Sequence, residues 1–350
     1  MTERKYGLFL LILTVLLLCA GSAALVLGSV SMGLKDIREG FSFLFGPSGE
    51  NGAGAGSSAE TAALILFQIR LPRILLAILV GVSLSLSGAA FQGLFRNSLA
   101  DPYVIGASSG AAFGAAAAMV AGLSIPGPVS ALSLCSFAGA LGAVFLAFVI
   151  SRPAGNPPPV LALLLAGTAL GTFFSSLLSL MLVLKDRDLH RVYYWLLGSL
   201  SGVSWKELLT ALPVMAAGWL LIFLCARPLD ILLQGEESAE SLGVDVRKVR
   251  IVTALGASMA TAAAVACAGI VGFVGLVAPH TVRLFTGPSH RRLLPASALT
   301  GALLVLLADI VSRTAAPPLE LPIGIICSLL GVPFFLYLLI RRGRELGQGR

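Results

Sequence analysis

The stretch Arg227-Pro-Leu-Asp-Ile-Leu-Leu-Gln-Gly-Glu-Glu-Ser-Ala-Glu-Ser-Leu-Gly-Val-Asp245 is a polar island between two long apolar runs, 206–226 and 250–268. Gly235 breaks the chain, and Glu236 and Glu237 then open a short helix, where carboxylates suit the positive N-terminal end. Ala239 and Leu242 stand at i,i+3 and are expected to share one face. Gly243 is placed as a C′ stop. The expectation is a short, acidic helix with a small apolar face, held just outside a membrane. A plain connector needs neither a cap nor a packing face, so the segment reads as a knob that docks into a partner.

The composition around this island makes lipid the solvent. The chain has 350 residues, 57% hydrophobic and 12% charged, with a mean hydropathy of +0.94. Soluble domains carry about 25% charge. A cytosolic enzyme, a secreted disulfide scaffold and a disordered chain are thereby excluded. Runs at 6–30, 64–92, 103–122, 128–151, 160–184, 206–226, 250–268, 270–286, 293–314 and 322–340 are each candidate spans, since about 20 apolar residues cross the hydrocarbon. They are continuously apolar rather than alternating, which predicts an all-α polytopic protein with about ten transmembrane helices. The seventh and eighth runs are separated only near Cys267-Ala268-Gly269. The basic Arg4-Lys5 start leads into a stretch too long for a signal peptide. The 39 glycines suit close helix–helix approach. Cys19, Cys135, Cys225, Cys267 and Cys327 all lie in apolar runs and read as small buried hydrophobes. His190, His280 and His290 have no ligand spacing, so no metal site is expected, and His280 reads as a helix-end residue.

The net charge of +7 then becomes a question of sides. With the N-terminus in the cytoplasm, most Lys and Arg fall inside, including Arg96, Arg152, Arg247, Lys248, Arg250 and the Arg341–Arg344 cluster. The positive-inside rule therefore places both termini in the cytoplasm. Lys35–Thr61 is an outer connection with a Gly/Ser-rich flexible linker at Gly49–Ser58. Lys185–Ser204 is another, with Tyr193, Tyr194, Trp195 and Trp205 as an interfacial belt. Arg73 and Arg250 each open an apolar helix, five spans apart and entering from opposite sides, which echoes an inverted repeat. Asp309 is an acid within a span, with Arg313 one turn away as a candidate partner.

Several segments carry a resemblance in order along the chain. They include Arg70-Leu-Pro-Arg73, Gly88-Ala-Ala-Phe-Gln-Gly-Leu-Phe-Arg-Asn-Ser-Leu-Ala-Asp-Pro102, Leu165-Ala-Gly167, Tyr194-Trp-Leu-Leu-Gly-Ser199, Gly272-Phe-Val-Gly-Leu-Val-Ala-Pro-His280, Leu307-Ala-Asp309, Glu320-Leu-Pro-Ile-Gly324 and the 227–245 island. With these, the chain resembles the permease subunits of type II ABC importers, the iron-siderophore, haem and cobalamin uptake family. The resemblance covers 1–350 as a single transmembrane permease domain, with a cytoplasmic coupling segment at about 227–250.

The resemblance implies a homodimer, or a heterodimer with a close paralogue, in a bacterial or archaeal inner membrane. Two ATPase subunits would dock on Gly235, Glu236, Glu237, Ala239, Leu242 and Gly243. One periplasmic or lipoprotein substrate-binding protein would place acidic residues against Arg70, Arg73 and Arg313. Asn97 and Leu99, with Val160 and Leu161, would line a cytoplasmic gate that closes by excluding water. The pair Gly167 and Gly171 marks a close contact, either near the pore and dimer axis or within the chain. No cofactor is expected on this chain, since ATP and Mg belong to the ATPase. In agreement, none of its five lysines follows a glycine, so no G-x-x-x-x-G-K-[ST] loop occurs. Nucleic acid is not an expected partner; membrane lipid is. The alternative reading, an ion-coupled secondary transporter, needs buried acids on several pore helices. An intramembrane enzyme needs a nucleophile–base pair or a metal cluster. Neither pattern is present in the sequence.

Overall fold

The structure, a computed structural model, describes residues 2–28, 32–45, 56–127, 129–155 and 159–348. Among them the chain is helical: α1 (Glu3–Val26), α2 (Leu34–Phe45), α3 (Gly56–Leu64), α4 (Leu71–Leu94), α5 (Ala107–Val120), α6 (Ala131–Ser151), α7 (Val160–Leu184) and α8 (Leu189–Leu196). They are followed by α9 (Trp205–Leu224), α10 (Ala226–Leu232), α11 (Glu236–Ser241), α12 (Val246–Ala268), α13 (Val274–Thr286), α14 (His290–Thr314) and α15 (Ile323–Gln348). Among the described residues, seven helical segments are long and apolar enough to cross a membrane; Ala107–Val120 and Ile323–Tyr337 are shorter apolar helices. The fold is that of a polytopic helical membrane protein, and each apolar run of the sequence holds one helix.

Helix α4 is the axis of the bundle and packs against α9, α12, α13 and α14. Its apolar window is 78% buried, whereas that of α7 is 17% buried. Small residues explain the close approach. A Cβ on Gly88 would fall 1.7 Å from the Gly275 carbonyl of α13, and one on Gly81 would fall 2.2 Å from the Gly301 carbonyl of α14. Backbones this near exclude water and maximise dispersion contacts, which drive helix association where lipid offers no hydrophobic gain.

Polar contacts give the helix directions. Tyr6 Oη donates to the Arg292 carbonyl at 2.9 Å, and Arg292 also pairs with Glu3, so α1 and α14 start at one end. Arg313, at the end of α14, donates to the Ala24 carbonyl late in α1. Arg73, near the start of α4, meets Asp309 late in α14, so α4 runs antiparallel to α14. Arg96 beyond α4 and Arg250 in α12 share Glu236, so α4 and α12 enter from opposite ends, as the sequence echo predicts.

Several expectations are corrected. The 185–204 connection contains α8, and its aromatic belt splits. Tyr193 and Tyr194 are exposed, but Trp195 packs inward and Trp205 Nε1 donates to the Phe67 carbonyl at 2.7 Å. The 35–61 connection contains α2 and the start of α3; residues 49–55 of the predicted 49–58 linker lie outside the described residues, as do 156–158 before α7. The seventh and eighth runs part at Gly269, where the sequence placed the break; its φ is +68°, and residues 269–273 are non-helical. His280 sits inside α13 rather than at a helix end, edge-on to Phe334.

Candidate functional site

At one end the chain suspends α11. Gly235 turns at φ +122° and serves as its N-cap. The helix closes with the Gly243 amide on the Glu240 carbonyl at 2.9 Å and the Val244 amide on the Ala239 carbonyl at 2.9 Å. This is the Schellman pattern, and Gly243 at φ +79° occupies the C′ position that favours glycine. Ala239 is buried against the body, but Leu242 is 63% exposed. The predicted shared face is therefore divided: Ala239 anchors the helix inward, while Leu242 projects outward with Glu237 and Glu240.

Glu236 also turns inward. Its carboxylate accepts from Arg250 Nη2 at 2.8 Å and lies 3.5 Å from Arg96 Nη2. Arg96 itself holds φ +49° at the end of α4. Its amide donates to the Gly93 carbonyl and the Asn97 amide to that of Gln92. The candidate gate residue Asn97 accepts from the Leu99 amide at 3.0 Å and so stiffens this turn. A second tie lies one helix earlier. Asp230 of α10 accepts from the His290 amide at 2.6 Å and from Ser289 Oγ at 2.9 Å, and meets His290 Nδ1 at 2.8 Å. Burial opposes ionisation of Asp230, but these hydrogen bonds outweigh it and hold the carboxyl below its usual range. Gly93 makes room for the His290 ring, because a Cβ there would lie 2.2 Å from Nε2. Thus α10–α11 is fastened to the starts of α12 and α14 and to the end of α4.

The other end carries an arginine cluster. Asp309, fully buried, accepts from Arg73 Nε at 2.9 Å and lies 3.0 Å from Arg313 Nε. Glu320 closes the other side of Arg73 at 2.9 Å. Arg70, in a π-helical turn Ile65–Arg70, reaches the carbonyls of Leu25 and Val26. A cavity of about 230 Å³ lies between Arg70, Arg73, Arg313 and Glu320. The i,i+4 partnership of Asp309 with Arg313 is as the sequence suggested. Arg70, Arg73 and Arg313, the residues expected to receive a binding protein's carboxylates, are all buried and engaged within the chain.

Between the two ends the backbone is irregular at depth. Residues 97–106 turn back into the bundle before α5, and 269–273 do so before α13. Irregular backbone at such depth persists only when buried in protein or lining a cavity. Here Tyr103 Oη donates to the Val271 carbonyl at 3.1 Å, tying one irregular stretch to the other. Pro102 packs on Gly275, and a cavity of about 520 Å³ borders Ile270, Gly272 and Gly324. Gly167 receives Ile105, and Gly171 faces Ser109, so both glycines serve an intrachain contact. Val160 and Leu161 begin α7, and Leu161 is 68% exposed. Beyond Leu161 and Leu165, one exposed stripe of α7 carries Thr168, Thr172, Ser176 and Ser179. Their hydroxyls donate to carbonyls of the preceding turn, leaving a mildly polar, uncharged surface. The sequence reading passed over this stripe, although its helical spacing was visible.

These features coincide with known proteins. The model of the FecCD transport family matches residues 11–341. The cobalamin import system permease protein BtuC of Halobacterium salinarum is 47% identical over 287 residues, covering 82% of this chain and 75% of that protein. The Fe(3+) dicitrate transport system permease protein FecD of Escherichia coli is 39% identical, covering 79% and 85%. The hemin transport system permease protein HmuU of Yersinia pestis is also 39% identical, covering 80% and 84%. A solved ABC transporter of the metal-chelate type, in an inward-facing conformation, superimposes with a TM-score of 0.77 at 32% identity, covering 95% of this chain and 98% of that one. The chain belongs to the FecCD transport family, and so to the non-enzymatic permease subunits of ABC importers.

Proposed function

We propose that two copies of this chain, or one copy and a close paralogue, form the conduit of a type II importer that moves an intact metal chelate into the cytoplasm. The cargo class is a corrinoid, haem or ferric siderophore; relatives are named for cobalamin, ferric dicitrate and hemin. The observation that carries the reading is α11: a capped, outward-projecting acidic helix fastened by Glu236 to the end of α4 and the start of α12. Such a lever suits a separate ATPase, whose stroke would reach α4 and α12 through Arg96 and Arg250. Both termini and α11 would lie in the cytoplasm, with the bulk of the positive charge. The hydroxyl stripe of α7, little covered by its own chain, would face the shared path. A binding protein above the arginine cluster would offer carboxylates in place of Glu320, whose side chain is 25% exposed, while Asp309 stays in place.

Co-purification tests this. The chain should retain a P-loop ATPase from its own genome, and Glu237→Lys with Leu242→Asp should release it while the permease still elutes as a folded species. Retention by the double variant would refute α11 as the dock.

A further inference from the structure

Between α6 and α12 lies a groove of about 420 Å³, within the range of about 300–1,000 Å³ of ligand sites. Its walls are apolar: Phe145, Phe148 and Val149 from α6 face Ile251 and Leu255 from α12. Phe145 is 65% exposed, and Ile251 and Leu255 are nearly half exposed. One end of the groove is strongly basic, with Arg152 and Arg247 at its mouth and the buried Arg250 in the wall behind them. Arg152 and Arg247 are exposed. Among the described residues neither is engaged in an ion pair; the nearby Asp245 pairs with Lys248 instead.

The depth of the groove identifies its occupant. At about 1.5 Å rise per residue, α6 descends about 16 Å from Arg152 to Leu141, the lining residue of that helix farthest from the arginine. Half of a hydrocarbon core of about 30 Å is about 15 Å. The groove therefore has the length of one leaflet, its basic mouth at the level where phosphates lie. A water-soluble partner can reach the mouth but cannot follow the apolar floor. An uncharged hydrocarbon could fill the floor but would leave the arginines unanswered. Basic pockets between transmembrane helices on this side of a membrane suit anionic headgroups.

We infer that this groove binds an anionic phospholipid of the leaflet on the α11 side, with an acyl chain along Phe145, Phe148 and Leu255 and its phosphate at Arg152 and Arg247. The inference requires only that the chain spans a membrane, so it stands apart from the identity of the cargo. Arg250 makes the site consequential. It borders the groove and also holds Glu236 of α11 at 2.8 Å. A phosphate at the mouth competes with Glu236 for this guanidinium, so the lipid adjusts how firmly α11 is held.

The test is native mass spectrometry of the full-length chain released from nanodiscs of equal parts phosphatidylglycerol and phosphatidylcholine. Each basic residue near a membrane surface favours an anionic headgroup about fivefold, so the pair gives a preference on the order of 25-fold. Wild type should retain phosphatidylglycerol selectively. Arg152→Gln with Arg247→Gln should lose that selectivity while still carrying lipid. Val149→Trp, which fills the groove and leaves the charges, should lose the bound lipid altogether. Millimolar glycerol phosphate should not displace it. Equal retention of the two lipids by wild type, unchanged retention in both variants, or displacement by glycerol phosphate would overturn the site. So would release of the partner ATPase by the arginine variant with lipid retention unchanged, since the mouth would then belong to a protein.

Discussion

Replacing Asp309 by Asn tests whether the arginine cluster holds the bundle together. Asp309 is fully buried, and the side chains of its partners Arg73 and Arg313 are only 8% and 4% exposed. Asn keeps the shape but removes the charge, leaving two buried guanidinium groups short of a counter-ion. Breaking a buried ion pair from one side costs about 3–5 kcal/mol. Glu320 still holds Arg73 at 2.9 Å, and the Ala24 carbonyl still receives Arg313. The expected loss is therefore about 3 kcal/mol, the low end of that range. The assay is equilibrium unfolding in mixed micelles, followed by fluorescence of the three tryptophans. A double-mutant cycle with Arg313→Gln should show a coupling of about 1–3 kcal/mol, because the two residues share one contact. Ordinary polar contacts within membranes average about 0.6 kcal/mol. A loss no larger than that, or strict additivity in the cycle, would refute the assignment of the cluster as an ionic clamp.

Other expectations follow from the packing and the coupling end. Gly88→Ala puts a Cβ 1.7 Å from the Gly275 carbonyl, so α4 and α13 must separate; a loss of at least about 1–3 kcal/mol is expected, seen as a lower melting midpoint in size-exclusion assays, and an unchanged midpoint would contradict the contact. Glu236→Gln should loosen α11 by about 1 kcal/mol, a modest figure because that carboxylate is 41% exposed; amide exchange over 235–243 should then rise roughly fivefold, and unaltered exchange would dismiss Glu236 as the fastener. The Asp230 carboxyl is held below its usual range, so its stabilisation is complete above about pH 4 and is lost as pH falls through its lowered folded value. Asp230→Asn should therefore be less stable than wild type at neutral pH and converge with it in acid; a gap that persists in acid would count against the pairing.

The long helices were legible because lipid imposes one rule on every span: about 20 apolar residues with internally satisfied backbone. The end of α11 was legible for a local reason, since Gly243 is the residue that accepts the φ of +79° found there. What escaped was long-range. Glu236 is fourteen residues from Arg250 and far from Arg96, and nothing in the local pattern pairs them. The same holds for Asp230 with His290 and for Glu320 with Arg73. Arginines at helix ends read as surface groups because hydropathy carries no information about partners; Arg70, Arg73 and Arg313 are buried because carboxylates and carbonyls from three other segments converge on them. The irregular stretches 97–106 and 269–273 were hidden in apolar sequence, since a broken helix at depth is as hydrophobic as a whole one. Ala239 and Leu242 diverge because α11 is only six residues long and Leu242 stands at its C-cap, past the last helical residue, while the helix is pressed against the body on one side only.

Uptake into proteoliposomes bears most directly on the central claim. The purified chain would be reconstituted with its ATPase and binding protein and offered cobalamin, haem and a ferric siderophore in parallel. The account predicts accumulation of one chelate that requires ATP inside the ATPase-facing compartment and persists when ion gradients are collapsed. Accumulation by the chain alone, driven by a sodium or proton gradient and indifferent to ATP, would contradict it.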